Sequence, residues 1–152
     1  MPHVVIRDQR NNPWIRGQDF TPPELQHQFN EKEQLDATLV RVHSPGDEVT
    51  PQLFELSFSP NFAVDFHSHA ADEIFYVVKG SLEFGKRSLG PGSSVLIPAD
   101  TLYAFKAGAD GLQMLNFRPR ADSVYRTREQ HIAWMREREP RDAKEPDPAS
   151  GD

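Results

Sequence analysis

The chain has no cysteine. Disulfides, thiolate metal sites and a cysteine nucleophile are therefore excluded, and the composition fits a reducing compartment. It also has no long apolar run. The N-terminus, MPHVVIRDQRNNPW, has no apolar core of a signal peptide, and nothing later approaches the roughly 18 uninterrupted apolar residues of a membrane span. A soluble, cytoplasmic protein is expected. Positive charge is not in excess either: the formal net charge is −6, so neither nucleic acid nor an anionic membrane is suggested as a partner. Long helices are few, because thirteen prolines and nine glycines punctuate 152 residues. That length fits one domain with some additional tail.

What the chain does have is strands. Thr38–Val42, Leu53–Phe58, Ala63–His69, Ile74–Lys79, Leu82–Phe84, Ser94–Pro98, Leu102–Lys106 and Leu112–Phe117 are short runs rich in β-branched and aromatic residues. Ser44-Pro45-Gly46-Asp47, Ser59-Pro60-Asn61 and Leu89-Gly90-Pro91-Gly92 separate them, and Gly80-Ser81 reads as a tight hairpin. This spacing predicts an all-β antiparallel sandwich or barrel over residues 37–119. Residues 1–36 read as an N-terminal arm, with a short strand at Val4–Ile6 and a short helix started by Thr21-Pro22-Pro23-Glu24. A helix is expected within 120–140. It starts at a capping box, Thr127–Gln130, and buries a stripe of Ile132, Met135 and Trp134. Residues 141–152, charged and proline-rich, are expected to form a disordered tail. The phenylalanines at 54, 58, 62, 66, 75, 84, 105 and 117 are core candidates, some of them pocket-lining.

Chemistry concentrates in HSHAADEIFYVVKG, residues 67–80. Alternate residues of a strand share a face, so His67 and His69 present two imidazoles side by side. Glu73 follows after a short turn. Two imidazoles and one carboxylate suit a divalent ion of the iron, manganese, zinc or nickel kind, and they leave coordination positions open for substrate, dioxygen or water. The bland alternative is a barrel whose polar cluster is satisfied by hydrogen bonds and water. His43 could be recruited from a strand end, whereas His3, His27 and His131 are expected to face solvent.

This stretch resembles the first conserved motif of the cupin family, matched by His67, His69, Glu73 and Gly80, with Asn61 at the usual leading glycine. Gly92 and Pro98 match the second motif. There Asp100 replaces a glycine, Tyr103 stands at the usual histidine, and Ala107 replaces an asparagine. The resemblance implies a double-stranded β-helix (jelly-roll) barrel, commonly a homodimer, and an enzyme of the dioxygenase, isomerase, lyase or cyclase kind acting on a small organic molecule, with oxygenase chemistry slightly favoured because two histidines and one carboxylate leave positions for substrate and dioxygen. A non-catalytic ligand-binding module is the alternative. If that register holds, Tyr103 points into the barrel, and three roles are open to it. It is a fourth metal ligand as phenolate, an acid/base or substrate donor beside the metal, or an inert aromatic wall residue.

Overall fold

The computed structural model describes residues 2–21 and 38–139. Their elements run β1 (Ile15–Arg16), α1 (Gly17–Phe20), β2 (Thr38–Ser44), β3 (Gln52–Phe58), β4 (Ala63–Ser68), β5 (Glu73–Phe84), β6 (Arg87–Leu89), β7 (Ser94–Ile97), β8 (Tyr103–Arg118), β9 (Arg126–Thr127) and α2 (Arg128–Arg138). Every strand pair is antiparallel. Strand order is β1-β2-β3-β8-β4-β9, with β5 alongside β8 and carrying β6 and β7. The spine is β8. Its first half pairs β4 and its second half pairs β3, while β5 follows it through both. The result is the expected jelly-roll barrel.

Period-two patterning sets the inner face. Along β5, Glu73, Phe75 and Val77 are buried while Ile74, Tyr76 and Val78 point outward. Phe75 is paired across the ladder with Asn116, and Val77 with Met114, so this inner face continues onto β8. Phe58, Phe75, Tyr103, Phe105 and Met114 are the large members of the core.

Two expected turns are not turns. Gly80-Ser81 does not reverse the chain, because β5 runs through it for twelve residues. Likewise the expected strands Leu102–Lys106 and Leu112–Phe117 fall, from Tyr103 on, in one sixteen-residue strand, β8. The reason is a β-bulge. Register shifts where Gly80 opposes Leu112, and both Gly80 (φ 76°) and Gly111 (φ 86°) are left-handed. Here the two backbones almost touch: a Cβ on Gly80 would lie 2.1 Å from the Gly111 carbonyl oxygen. The true hairpin is one turn later, across Gly85-Lys86, where Phe84 pairs with Arg87. Gly80→Ala is therefore expected to cost about 2–4 kcal/mol in denaturant unfolding, from left-handed strain plus steric displacement. Gly85→Ala is the control. It has the same sign of φ and nothing within 4 Å of the added methyl, so about 1 kcal/mol is expected. Equal losses in the two variants would show that close backbone approach is not what Gly80 serves.

Other expectations need correction. Val4–Ile6 is exposed and is no strand; β1 lies at Ile15–Arg16 instead. Phe66 and Phe117 point outward and are 44% and 38% exposed, because each sits on the outer phase of its strand. The C-terminal helix starts where the capping box places it, at Arg128 with Thr127 as N-cap, after β9 has paired with β4. Its capping box is present as read: Gln130 N–H donates to Thr127 Oγ1 at 3.3 Å, and Thr127 N–H donates to Gln130 Oε1 at 2.9 Å. The stripe of Ile132 and Met135, however, is 40% and 48% exposed. What α2 buries is His131, expected in solvent, which hydrogen-bonds the buried Ser68 hydroxyl at 2.8 Å. Trp134 lies between the guanidiniums of Arg126 and Arg138, 4.0 and 4.7 Å from their carbons. The helix expected from Pro22 and the tail at 141–152 lie outside the described residues. No helix among the described residues is long and apolar enough to cross a membrane.

Candidate functional site

The strand carrying the two histidines is placed by the strand carrying the tyrosine: His67 and Tyr103 are direct partners across the β4–β8 ladder. A register shift between Val64 and His67 precedes this pairing. The left-handed backbone expected at Asn61 is present (φ 63°). Asp100, where a glycine was expected, is left-handed too (φ 62°). Its N–H donates to the His69 carbonyl at 2.8 Å, and its carboxylate pairs with Arg126 at 3.0 Å, fixing the second motif against the first.

Side chains of His67, His69, Glu73 and Tyr103 all meet at one end of the barrel interior. The imidazole orientations follow from backbone acceptors. His67 Nδ1–H donates to the Asp65 carbonyl at 2.8 Å, and His69 Nδ1–H donates to the Val124 carbonyl at 2.7 Å. A carbonyl can only accept, so in each neutral ring the Nε2 carries the lone pair. His67 Nε2 lies 2.9 Å from the Tyr103 hydroxyl, and that hydroxyl donates its one proton to Glu73 Oε1. His69 Nε2 accepts a 3.4 Å hydrogen bond from Arg118 and lies 4.0 Å from Glu73 Oε1.

Arg118 and Asn116 were missed as site residues. Arg118 Nε and Nη2 donate to Glu73 Oε2 at 3.2 and 3.1 Å, and Asn116 Nδ2 donates to the same oxygen at 3.3 Å. Arg118 is itself steadied by Gln52, whose Oε1 accepts from Nη1 at 3.1 Å. The signal was available: Met114, Asn116 and Arg118 share a strand face, so an amide and a cation continue the inner row. Tyr125, from the segment before β9, was also missed. Its ring stacks on His67 at 4.9 Å with 6° between planes. Nothing periodic in that segment announced it. His43 is not recruited to the cluster; it pairs with Glu55 at 2.9 Å. His3 is exposed, and His27 lies outside the described residues.

Electrostatics divides the roles. Burial, followed by the neighbouring His69, pulls the His67 pKa down to about 4. His69 is also lowered, by burial first and Arg118 second. Both rings are thus neutral near pH 7, with the Nε2 lone pair of His69 turned to Arg118. Burial pushes the Tyr103 phenol well above its usual value, and the Glu73 carboxylate adds to the effect. Both effects favour the protonated phenol. Its hydroxyl is bonded to Glu73 Oε1 and stands beside the His67 lone pair.

These donors have the chemistry of a divalent-cation site: two imidazole nitrogens with backbone-bonded partner nitrogens, one carboxylate oxygen and one phenol oxygen. The carboxylate is meanwhile held by Tyr103 and Arg118. Among the described residues no three His, Cys, Asp or Glu side chains are as close as a metal ion requires.

A cavity of about 240 Å³ opens from this cluster along the barrel, between β2, β3, β4 and β8. Its lining is mostly apolar, with Phe54, Phe58, Phe62 and Phe105 among its walls and Thr38 and Asp65 among its polar members.

The low His67 pKa carries a stability consequence. An unfolded histidine takes a proton near pH 6.5, but the buried one resists it until about pH 4. Its contribution is complete above 6.5 and is lost as pH falls toward 4, by on the order of 3 kcal/mol. Thermal melts between pH 7.5 and 4 are expected to show this loss, and His67→Asn is expected to flatten it. An unchanged slope in that variant would remove His67 as the cause.

No family model matches the sequence, and neither does any curated protein. Solved structures do match. A RmlC-like cupin from Ralstonia eutropha JMP134 is 12% identical over 87% of this chain and 84% of that one, with a TM-score of 0.60. The DMSP lyase DddQ from Ruegeria pomeroyi DSS-3 is 18% identical over 66% of this chain and 56% of that one, at 0.55. The polyketide cyclase RemF from Streptomyces resistomycificus is 22% identical over 66% and 79%, at 0.50. At such identities the likeness is one of fold.

Proposed function

The chain has the cupin fold, and from that premise we propose that it is a metal-dependent enzyme that moves a proton on a small organic substrate. One observation carries the reading: two imidazoles and a phenol line one end of a mostly apolar cavity, and the phenol hydroxyl bonds the buried Glu73 carboxylate behind it. His67 and His69 would hold a divalent ion through Nε2, and Glu73 would hold it through Oε1. The Nδ1–H bonds to backbone carbonyls supply the outer support that metal-bound histidines ordinarily have. Mixed nitrogen and oxygen donors suit iron, manganese, zinc or nickel. When bound, such an ion supplies Lewis acidity toward a substrate oxygen.

The remaining work falls to the chain. Tyr103 carries a proton at neutral pH, donated to Glu73 Oε1, and would redirect it to a substrate oxygen bound beside it. Arg118 and Asn116 hold the far oxygen of Glu73, so the carboxylate keeps Oε1 toward the histidines. The phenylalanine walls exclude water and bind the substrate's apolar part. A proton carrier at this position favours elimination, cyclisation or isomerisation over oxygenation. The lyase and the cyclase that share the fold are named for reactions of the first two kinds. A dioxygenase would use the same three ligands and ask nothing of Tyr103; dioxygen consumption is its mark.

Metal analysis of protein purified without added metal tests the ligand set. Near-stoichiometric metal in the wild type and its loss in His67→Ala are expected. Sparse metal that His67→Ala leaves unchanged would end the metal reading.

A further inference from the structure

We infer that the substrate is amphipathic, with a carbonyl or carboxylate head and an apolar body, and that Phe20 from the N-terminal segment sets how long that body can be. The inference deepens the proposed function and rests on it for which end of the cavity reacts.

At the polar end, Tyr103, Asn116 and Arg118 line the cavity, and each donates to the buried Glu73, so an oxygen-bearing head would compete with Glu73 for these donors. An oxygen-bearing head finds partners there. A cationic head would face Arg118, while of the two carboxylates nearby Glu73 is already held by Arg118 and Asp65 lines the cavity from β4. Away from this end, β3 presents Phe54, Leu56 and Phe58 and β2 presents Val40, with no ionisable side chain among them. At about 240 Å³ the space falls below the roughly 300–1,000 Å³ of drug-sized sites, so the body is short.

The apolar end is closed by a part of the chain outside the barrel proper. The two-residue β1 pairs with β2, Ile15 against Val40 and Arg16 against Leu39. This brings α1 over the opening, where Gly17, Phe20 and Thr21 line the cavity. The Thr21 N–H to Gly17 carbonyl bond, 2.9 Å, closes that turn. The Phe20 ring meets Phe54 edge-on, with centroids 5.1 Å apart and planes at 82°. Phe20 is 37% exposed, so its ring stands between cavity and solvent. It packs as a stopper rather than as core.

The test is calorimetric binding of straight-chain alkanoates, butanoate to dodecanoate, to the protein as purified, with metal content measured on the same sample. Affinity is expected to rise about fourfold per methylene and then stop at one chain length. Phe20→Ala is expected to move that stop by at least two methylenes, and Phe20→Trp to shorten it. Matching alkylammonium ions are expected to bind at least tenfold more weakly. No alkanoate binding at any length, a stop that neither variant moves, or alkylammonium binding as tight as alkanoate would each overturn the inference. Metal content separates the two readings. Metal present without a length limit sinks this inference alone. A length limit without metal sinks the metal-dependent reading and leaves Phe20 its role.

Discussion

Tyr103→Phe is expected to lower turnover on the order of 10²- to 10⁴-fold, the usual worth of a positioned acid or base, while leaving bound metal in place. The substitution deletes a single oxygen, one that stands 2.9 Å from His67 Nε2 and donates to Glu73 Oε1. The ring stays packed against Phe75 and Phe105, so the barrel should keep its shape. A buried carboxylate oxygen loses its donor, and a stability loss of about 1–3 kcal/mol should accompany the kinetic effect. Steady-state kinetics with any small oxygen-bearing substrate that the wild type converts, paired with metal analysis, checks both parts. Loss of metal with the hydroxyl would instead make Tyr103 a ligand. Full turnover would reduce it to packing.

The second large effect concerns charge. Glu73→Ala removes the buried partner of Arg118, whose side chain is only 11% exposed. An unpaired buried guanidinium typically costs 3–5 kcal/mol, which for a domain of this size lowers Tm by roughly 6–20 °C. The variant should also lose metal. The informative comparison is Glu73→Leu combined with Arg118→Met, which removes both charges. Buried ion pairs are often replaceable by apolar groups without net loss, so the double variant should regain most of the stability yet still lack metal. If Glu73→Ala melts within about 2 °C of wild type, which corresponds to less than about 1 kcal/mol, the pair is not buried in the sense described. If the double variant binds metal as wild type does, Glu73 is not a ligand.

The sequence was most informative where chemistry was local. His67 and His69 share a strand face by simple alternation, and the tight turn to Glu73 keeps the third group near. The barrel followed from strand spacing. What could not be read locally was pairing. A left-handed glycine serves a hairpin and a bulge equally well, so Gly80 was legible as a special position but not as a continuous strand; only its closeness to Gly111 decides. The same ambiguity split β8 in two and hid that one strand carries Tyr103 at its start and Arg118 at its end. Arg118 itself was legible by alternation from Met114, yet a charge at a strand end reads first as solvated. Helix α2 misled in the other direction. Its apolar residues suggested a buried stripe, whereas the docking group is a histidine that finds Ser68, a partner sixty-three positions earlier.

The most direct measurement is a crystal structure of the protein as purified, with anomalous scattering collected across the iron, manganese, nickel and zinc edges. The account predicts one ion bonded to Nε2 of His67, Nε2 of His69 and Oε1 of Glu73, with the Tyr103 hydroxyl facing the open side and Arg118 still on Oε2. Arg118 holding both carboxylate oxygens, with no anomalous signal between the histidines, would contradict it.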